Sequence, residues 1–447
     1  VHPKSHMKTE VSDRIQTLYD LAQHGFHTYP NNKCMGEREY LGLYKGNPKI
    51  KHFNGNNITW RTYQQVQEEA HKFGAALCAT GLQAAPPSQT DLLKQVTAPC
   101  RMAIFENSCP EWMIAAVGAY TQSMTVCTVY ATLGMQAVTD VIEENNISVI
   151  LCNRRSVAEL VANHKQNPTL KTIIYTNNLV GPDDRIELPS SSHLPRGMNV
   201  ISFDDFVASG DTDKYPPIPP KAETAAVVMY TSGSTGKSKG VVLRHSSVVA
   251  AAKSAECFLA GIDDPIRPGQ ETHVGYLPLA HILEMMVEFF ALYWGAEIGY
   301  ADHKCLAPTG AYPTGSLQCF RPSFLVGVPK VWDTMKKTAE GKIKQRTILG
   351  QFLVKVAFAW RRFALKHGFD TPLLKLLVFS KFQANVGGRL RYGISGGGPL
   401  NPQVEEFCRL GFCIRFMQGY VSTRICVVSA SALFTNKLIH IYMLMMI

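Results

Sequence analysis

The chain alternates short apolar runs with longer stretches in which apolar residues recur every three or four positions. Residues 100–107 (CRMAIFEN) are typical of a buried strand, and residues 110–124 (PEWMIAAVGAYTQSM) predict a helix with Pro110 in its first turn. Residues 124–130 and 147–153 predict further strands, with a helix over 134–145 between them. Strands that alternate with helices at this spacing indicate a parallel sheet covered on both faces.

The same alternation returns after residue 223. Strands are predicted at 225–230, 240–245, 271–279, 324–330 and 389–396, and a helix is predicted from a Ser246 cap to about Leu259. Between the two blocks, the prolines of GDTDKYPPIPPKAE mark an extended connector. We therefore divide the chain into an N-terminal extension (1–59), a first α/β subdomain (60–209), a connector (210–222), a second α/β subdomain (223–420) and a tail (421–447).

Composition places this chain among globular proteins. It has 447 residues, of which 46% are hydrophobic and 18% charged, which is enough for two or three cores. The 12 cysteines form no Cys-x-x-Cys pair and no zinc-site spacing, which favours a reducing compartment. No apolar run is long enough for a spanning helix, and the N-terminus lacks the order of a secretory signal. The net charge of +10 suits an anionic nucleotide, coenzyme or lipid headgroup, although a solvated basic face explains it equally simply; no nucleic acid partner is expected.

The stretch YTSGSTGKSKGVVLRH, residues 230–245, combines glycines, hydroxyls and lysines between two apolar runs. Its backbone amides, hydroxyls and charges could grip a polyphosphate. A Walker phosphate loop requires glycine where Thr231 stands and a helix where a strand-like run follows, so that motif does not match. A flexible Gly/Ser surface loop is the alternative.

This stretch closely resembles the phosphate-loop signature of the AMP-forming acyl-adenylating enzymes, and within them the long-chain fatty acyl-CoA synthetases. Four further stretches resemble that family in the same order: ENSCPEWMIAAVGAYTQSMTVCTVYATLG, GYLPLAHILE, LVGVPKVWDTM, and GISGGGPLNPQVEEF followed by MQGY. The resemblance covers residues 15 to 420. It implies an α/β protein whose two parallel-sheet αβα subdomains form the large N-terminal domain of such enzymes, with the small C-terminal domain absent.

The resemblance implies that a long-chain fatty acid carboxylate attacks the α-phosphorus of ATP, giving an acyl-adenylate and pyrophosphate, after which the thiol of coenzyme A displaces AMP. Positioning and charge neutralisation dominate such transfers. The residues implied to hold the β- and γ-phosphates are Thr231, Ser232, Gly233, Ser234, Thr235, Gly236, Lys237 and Lys239, with Thr231 also near Mg²⁺. Those implied to surround adenine are Gly396, Gly397, Gly398, Pro399, Gln418, Gly419 and Tyr420.

Two further groups of residues follow from the resemblance. His281 is implied at the junction of the nucleotide and acyl pockets, although a single histidine at the start of an apolar helix often serves packing alone. His281 and Glu284 are three residues apart, but no second such pair completes a di-metal set, so we discard a metal site there. Val326, Gly327 and Val328 are implied to line the acyl tunnel; alternatively, they form an ordinary core strand.

A basic and apolar region spans residues 342–391 and includes LVKVAFAWRRFALKHGF. A helix there would place Arg361, Arg362 and Lys366 near apolar Trp360 and Phe363, as in helices that lie on an anionic membrane. An ordinary amphipathic helix packed on the sheet is the alternative. We expect a cytoplasmic protein, or one peripheral on the cytoplasmic face of an intracellular membrane such as the endoplasmic reticulum.

The resemblance stops after Tyr420. The family continues with Gly-Leu-Thr-Glu, whereas this chain has Val-Ser, then Thr423 in its expected place, and Arg424 where the family has a Mg²⁺-binding glutamate. A unit-charge pair at about 4 Å and an effective dielectric near 20 is about 4 kcal/mol, so this change of sign would be severe. A one-base shift of reading frame after Tyr420 would account for the altered tail.

Three functions compete on this basis. The first is an AMP-forming long-chain acyl-CoA synthetase. The second is a truncated, catalytically inactive binder of nucleotide or acyl chains, which would bind ATP or fatty acid without releasing pyrophosphate. The third is a P-loop phosphotransferase, which would release ADP and which the failed Walker match disfavours. The first is our prediction for the lineage of the chain.

Overall fold

A computed structural model describes residues 14–85, 100–231, 239–260, 264–421, 428–434 and 437–441. The α-helices in these ranges are α1 (Leu18–Thr28), α2 (Tyr63–Ala79), α3 (Pro110–Thr121), α4 (Met135–Asn145), α5 (Val157–Ala162), α6 (Phe203–Ala208), α7 (His245–Ala260), α8 (Ile282–Tyr293), α9 (Ser316–Phe320), α10 (Pro329–Lys344), α11 (Ile348–Lys366), α12 (Pro372–Leu374), α13 (Ser380–Ala384) and α14 (Pro402–Gly411).

The strands in the same ranges are β1 (Lys33–Glu37), β2 (Tyr40–Leu43), β3 (Lys51–Phe53), β4 (Thr59–Thr62), β5 (Arg101–Phe105), β6 (Thr125–Thr128), β7 (Val149–Asn153), β8 (Thr172–Thr176), β9 (Asn199–Ser202), β10 (Ala225–Thr231), β11 (Lys239–Arg244), β12 (Thr272–Gly275), β13 (Glu297–Tyr300), β14 (Ala311–Tyr312), β15 (Phe324–Gly327), β16 (Tyr392–Ser395), β17 (Arg415–Val421), β18 (Val428–Phe434) and β19 (Lys437–Ile441). The predicted α/β class is confirmed, and each strand and helix predicted above has its counterpart here.

A seven-stranded sheet has the order β11-β10-β6-β5-β7-β8-β9. Neighbouring strands from β10 to β9 run parallel, but β11 pairs with β10 in the antiparallel direction. The parallel sheet predicted above thus carries one antiparallel strand, β11, beside β10. Residues 232–238 are too few for the crossover that a parallel pair requires, so β10 and β11 form a hairpin.

The connector at 210–222 does not separate two independent sheets. Strands β10 and β11 follow it in the chain, yet β10 pairs with β6 from the first block. The N-terminal residues also enter the fold, because β1 pairs in parallel with β13 in a four-stranded sheet of order β12-β13-β1-β4. The domain division given above stays a prediction, and any boundary at the connector has to cut across this shared sheet.

A second large sheet carries the C-terminal part of the described chain. Its order is β15-β16-β17-β18-β19, with β15, β16 and β17 parallel and the last two strands antiparallel. A small sheet of order β14-β3-β2 completes the set in the described ranges. The carboxyl ends of β15, β16 and β17 therefore lie side by side, which is where ligands bind in parallel sheets.

One continuous apolar core joins α1, α2, α3 and α8 to the sheets. The side chains of α3 and α8 are buried along the whole of each helix. The hydroxyl of Tyr63 is paired within this core, because it donates to the carbonyls of Ala291 and Ala296 at 3.1 and 2.8 Å. Leu18 N donates to Nδ1 of buried His245 at 3.2 Å, and burial lowers the pKa of His245 to about 3. Helix α7 begins at this histidine, one residue before the Ser246 that we expected as its cap.

In the described part of the chain, no helix combines the length and the apolar character that a membrane crossing requires.

Helices α2 and α3 approach so closely that glycine is required between them. A Cβ atom on Gly74 would lie 2.1 Å from Thr121 Oγ1 and 2.5 Å from the carbonyl oxygen of Gly118. We expect Gly74→Ala to lower the free energy of unfolding by about 1–3 kcal/mol, the usual cost of overpacking. Denaturant unfolding measures this change.

Gly341→Ala in exposed α10 is the control, because nothing lies within 4 Å of its Cβ position. This substitution should stabilise the helix by up to about 1 kcal/mol. Equal effects of the two substitutions would contradict the packing described.

Candidate functional site

The carboxyl ends of three parallel strands bring together segments that are far apart in the sequence. Gly327 at the end of β15 pairs with Ser395 at the end of β16, and Ser395 pairs with Gln418 in β17. The predicted acyl-tunnel, adenine and Gln-Gly-Tyr segments thus meet at one sheet edge. Gln418 is held there by donating from Nε2 to Glu405 of α14 at 2.6 Å.

The glycine turn after β16 packs against its neighbours through its backbone. Gly396 N donates to Gly327 O at 3.0 Å, and a Cβ on Gly396 would lie only 2.9 Å from Leu283 Cδ2. Gly397 has φ of +78°, a left-handed conformation that favours glycine. Cβ atoms on Gly397 and Gly398 would meet Val328 and Pro329 at 3.5 and 3.7 Å. The turn therefore lies against both the first turn of α8 and the start of α10.

His281 is the N-cap of α8. Its backbone is extended, and its Nδ1 accepts a hydrogen bond from Leu283 N at 3.1 Å. Burial lowers the pKa of His281, so the ring is neutral at pH 7. A neutral ring that accepts at Nδ1 carries its proton at Nε2, which makes Nε2 a hydrogen-bond donor. The ring of His281 is thus held in one orientation, with Nε2 as its hydrogen-bond donor.

A cavity of about 950 Å³ lies next to these segments. Its wall includes Leu277, Pro278 and Ala280 just before His281, and Val328 and Lys330 at the start of α10. This volume is in the range of small-molecule sites. The wall also holds Arg38, which is 7% exposed and donates to Thr314 O and Ser316 Oγ at 2.9 Å each. The cavity therefore combines an apolar side with a buried cation.

The three predicted tunnel residues have different surroundings. Val328 lines the cavity, whereas Val326 is fully buried in β15. A Cβ on Gly327 would lie 2.8 Å from Tyr276 Oη and 2.9 Å from Trp332 Nε1, so this glycine permits close packing. Tyr276 donates to Val326 O at 2.9 Å. Within this segment Val326 therefore belongs to the core and Val328 to the cavity wall. That this cavity holds an acyl chain stays a prediction.

Thr231 and Lys239 pair with each other at the end of the β10–β11 hairpin. Strand β10 is parallel to β6, so the hairpin end lies on the same sheet edge as the carboxyl ends of β5, β6 and β8. Residues that follow β5 and β6 or end β8, namely Glu106, Tyr130 and Thr176, line the cavity. Thr231 and Lys239, the first and last of the phosphate-loop candidates, therefore lie at the same end of the sheet as this part of the cavity wall.

Glu106 is a site residue that sequence reasoning did not single out. It directly follows β5, is 3% exposed, and accepts from Asn107 N at 2.7 Å and from Thr176 Oγ1 at 2.5 Å. Burial raises its pKa, while these hydrogen bonds oppose the rise. The available signal was an acidic residue directly after the apolar run 102–105 of a strand, at the carboxyl end where ligand-binding side chains collect. Nearby, Ser108 Oγ donates to Leu277 O and accepts from Leu279 N, which fixes the loop before His281.

Four buried polar side chains form two hydrogen bonds that join α8 to β12 and β13. His273 Nε2 and Glu284 Oε1 are 3.1 Å apart, and Tyr300 donates to Glu288 at 2.5 Å. Burial lowers the pKa of His273 to about 3 and raises the pKa of both glutamates well above their usual range. The His273–Glu284 contact is therefore a hydrogen bond between neutral groups and not an ion pair. Glu284 thus contacts His273 of β12.

Several predicted residues lie outside the described part of the chain. These are Ser232, Gly233, Ser234, Thr235, Gly236, Lys237, Thr423 and Arg424. The side chains of Thr231 and Tyr420 are likewise outside it. Among the residues that are described, no group of three His, Cys, Asp or Glu side chains is placed to hold a metal ion. A Mg²⁺ site on Thr231 therefore stays a prediction.

The sequence profile of the AMP-binding enzyme family matches residues 44–440. The chain belongs to this family. The matched range extends past Tyr420, after which the motif resemblance described above stops.

The chain is 28% identical over 446 residues to long-chain-fatty-acid–CoA ligase 2 of Schizosaccharomyces pombe (strain 972 / ATCC 24843), covering 95% of this chain and 61% of the relative. It is 30% identical over 406 residues to fatty acyl-CoA synthetase A of Dictyostelium discoideum, covering 90% and 54%. This AMP-binding enzyme thus spans between half and two thirds of the length of these relatives.

Solved structures show the same fold. The adenylation domain of a carboxylate reductase from Mycobacterium chelonae superposes on this AMP-binding enzyme with a TM-score of 0.67 at 17% identity, covering 91% of this chain and 58% of that one. The anthranilate CoA ligase AuaEII in complex with anthranoyl-AMP superposes with a TM-score of 0.63 at 13% identity, covering 95% and 63%. At these identities the likeness concerns the fold alone.

The buried acid Glu288 makes the stability of the enzyme depend on pH. A carboxyl whose pKa is raised in the folded state binds a proton there that it loses on unfolding above about pH 4.5. Its contribution to stability is complete below pH 4.5 and is lost as pH rises toward the folded-state pKa. We expect Glu288→Gln to remove this loss, so that its stability relative to the unmodified chain increases by up to about 1.4 kcal/mol per pH unit above 4.5.

Denaturant unfolding between about pH 5 and about pH 8 measures this difference. Exposed Glu143→Gln in α4 is the matched control and should follow the unmodified chain at every pH. A constant difference between Glu288→Gln and the unmodified chain across this range would show that Glu288 is ionised in the fold.

Proposed function

We propose that this AMP-binding enzyme activates long-chain fatty acids to acyl-CoA through an acyl-adenylate, releasing AMP and pyrophosphate. One arrangement supports it most directly. The glycine turn at 396–398, Val328 and the first turn of α8 meet at the carboxyl ends of the parallel strands, beside the 950 Å³ cavity. A nucleotide at the strand ends and an acyl chain in the cavity would place the reacting carboxylate between them. The names of the relatives support the substrate class.

In this proposal, separate groups of residues position the phosphates and the adenine of ATP. The loop from Thr231 to Lys239 holds the β- and γ-phosphates, and its charges and amides offset the negative charge of the leaving pyrophosphate. The Gly396–Pro399 backbone forms the wall against adenine, with Gln418, Gly419 and Tyr420 completing that pocket. The missing side chains at Gly397 and Gly398 let the base approach the backbone of the turn, which lies against Val328 and Pro329.

The acyl chain lies against Val328 in the cavity, where each buried methylene contributes about 0.8 kcal/mol. His281 stands at the junction of the two pockets and offers a neutral Nε2–H donor toward the carboxylate or phosphate oxygens.

Mg²⁺ would accompany the ATP phosphates and neutralise their charge, and Thr231 is the residue that we propose beside it. Coenzyme A supplies the thiol that takes the acyl group and releases AMP. We place the enzyme in the cytoplasm or on the cytoplasmic face of an intracellular membrane such as the endoplasmic reticulum.

A second candidate is a protein that binds nucleotide or acyl chain without turnover. Arg424 favours it, because a cation stands where the family has its Mg²⁺-binding glutamate. The deciding experiment incubates the 447-residue chain with ATP, Mg²⁺, coenzyme A and fatty acids of increasing length. Pyrophosphate release that requires the fatty acid supports the ligase. Binding of ATP or fatty acid without pyrophosphate supports the second candidate, and release of ADP contradicts both.

Lys239 provides a test that applies to either candidate, because both bind ATP. We expect Lys239→Ala to raise the dissociation constant of ATP at least about tenfold, since it removes a charged contact to the phosphates. Titration calorimetry or a fluorescent ATP analogue measures the change. Lys165→Ala, at an exposed lysine in the segment between α5 and β8, is the matched control and should bind ATP normally. Unchanged affinity in Lys239→Ala would place the phosphates elsewhere.

A further inference from the structure

Helix α11 presents an apolar face to solvent. The seven large apolar residues of this face are 48–88% exposed and recur at helical spacing: Ile348, Leu349, Phe352, Leu353, Val356, Trp360 and Phe363. Monomeric proteins rarely expose so many contiguous apolar side chains without a binding role. We call these seven residues the apolar face of α11.

The opposite face of α11 attaches the helix to the domain with smaller side chains. Val354, Ala357 and Ala364 are buried there, together with Arg361. Arg361 donates to Thr371 Oγ1 at 2.6 Å, and its guanidinium lies 5.5 Å from the ring centre of Phe379. A helix that only covered the sheet would bury its larger apolar residues and expose its polar ones. In α11, Lys355, Arg362 and Lys366 are exposed as expected. Phe358 packs on Phe379, Phe382 and Phe407, but the seven residues of the apolar face are exposed as well. Packing within the described part of the chain therefore does not explain these seven residues.

The next segment of the chain continues the exposed apolar character. Phe369, Leu373, Leu376 and Leu377 are 67–73% exposed. The segment is fixed to the end of α11, because Phe369 N donates to Ala364 O at 2.9 Å and Thr371 binds Arg361. Its residues are therefore held in place beside the helix and are not a separate feature of the surface.

The same region carries the whole net charge of the protein. Residues 342–391 contain eleven of the 45 Lys and Arg residues and one of the 35 Asp and Glu residues, which leaves 34 of each sign in the rest of the chain. The exposed cations around the apolar face include Lys344, Arg346, Lys355 and Lys381. Part of this charge is neutralised in the fold, because Arg362 pairs with Glu406, and Arg391 pairs with Asp264 and Glu271. The four exposed cations come from the same stretch of the chain as the apolar face of α11.

We propose that the apolar face of α11 binds the surface of a bilayer that contains anionic lipids. A second copy of this chain is a poor occupant, because it would bring the exposed cations of two such surfaces together. An anionic bilayer satisfies both features: Trp, Phe and Leu side chains enter the boundary between headgroups and acyl chains, and the surrounding lysines meet the headgroups. This binding does not depend on the proposed reaction, so the two can fail separately.

Vesicle co-sedimentation of the 447-residue chain tests the proposal. Vesicles of phosphatidylcholine alone are compared with vesicles that contain about one third phosphatidylserine, at about 0.1 M and about 0.5 M salt. We expect at least about tenfold tighter binding to the anionic vesicles at low salt, and a marked loss of that advantage at high salt. Equal binding to both vesicle types, or none to either, would overturn the proposal.

Two variants separate the apolar and charged contributions. Leu349→Gln, Phe352→Gln, Trp360→Gln and Phe363→Gln made together should weaken binding to anionic vesicles at least about tenfold. The control is Leu43→Gln with Ile218→Gln, which changes residues 54% and 53% exposed elsewhere on the surface. Lys344→Glu, Lys355→Glu and Lys381→Glu together should remove the preference for anionic lipid, whereas Lys45→Glu, Lys165→Glu and Lys221→Glu should retain it.

Circular dichroism and thermal unfolding establish that each variant is folded. If the folded four-residue glutamine variant binds vesicles as the unmodified chain does, the apolar face of α11 is not the docking surface. If sedimentation velocity instead shows a dimer that this variant dissolves, with no vesicle binding by the unmodified chain, the surface is an interface between copies and the proposal is wrong.

Discussion

The arrangement of the site depends on one close backbone approach. Gly396 donates to Gly327 across the ends of two parallel strands, and the space above its Cα is filled by Leu283 from the first turn of α8. A Cβ on Gly396 would lie 2.9 Å from Leu283 Cδ2 and would require that side chain to shift. Because His281 caps this same helix and Val328 touches the same turn, the positions of the histidine, the cavity wall and the glycine turn are set by one contact.

The rigidity of α8 has an energetic cost that the fold has to offset. Two fully buried glutamates, Glu284 and Glu288, lie on this helix, and burial raises the pKa of both well above the usual range. Removing such groups from water is unfavourable unless they are hydrogen-bonded, and His273 and Tyr300 each provide a partner to one oxygen. The other oxygen of each glutamate has no hydrogen-bond partner among the described residues, so this cost is only partly offset. The two hydrogen bonds join α8 to β12 and β13.

Local patterns predicted the elements of this fold well. The apolar run of β5 and the proline-initiated α3 lie where the sequence places them, because each is determined by neighbouring residues. Pairing between distant strands was not predictable in the same way. Strand β1 pairs with β13, which is more than half of the chain away, and the sequence of neither short strand indicates which strand it pairs with. The antiparallel edge at β11 was missed because two apolar runs separated by a loop look alike in either direction.

The site was predictable as an ordered set of motifs, but not as a geometry. The sequence indicated that Gly396, His281 and Val328 belong together; it did not show that Leu283 fills the space above the glycine, or that Val326 belongs to the core while Val328 faces the cavity. Glu106 was missed because a single acidic residue after a strand carries little information until the strand ends are seen to meet. Such properties come from tertiary packing.

The most direct test of this account is a crystal structure of the chain with a non-hydrolysable analogue of a long-chain acyl-adenylate. The account predicts the adenine ring against the backbone of Gly397 and Gly398, the linkage that replaces the phosphate near His281, and the acyl chain in the cavity beside Val328. An analogue bound with its base away from the glycine turn, or with its acyl chain outside that cavity, would contradict the central claim.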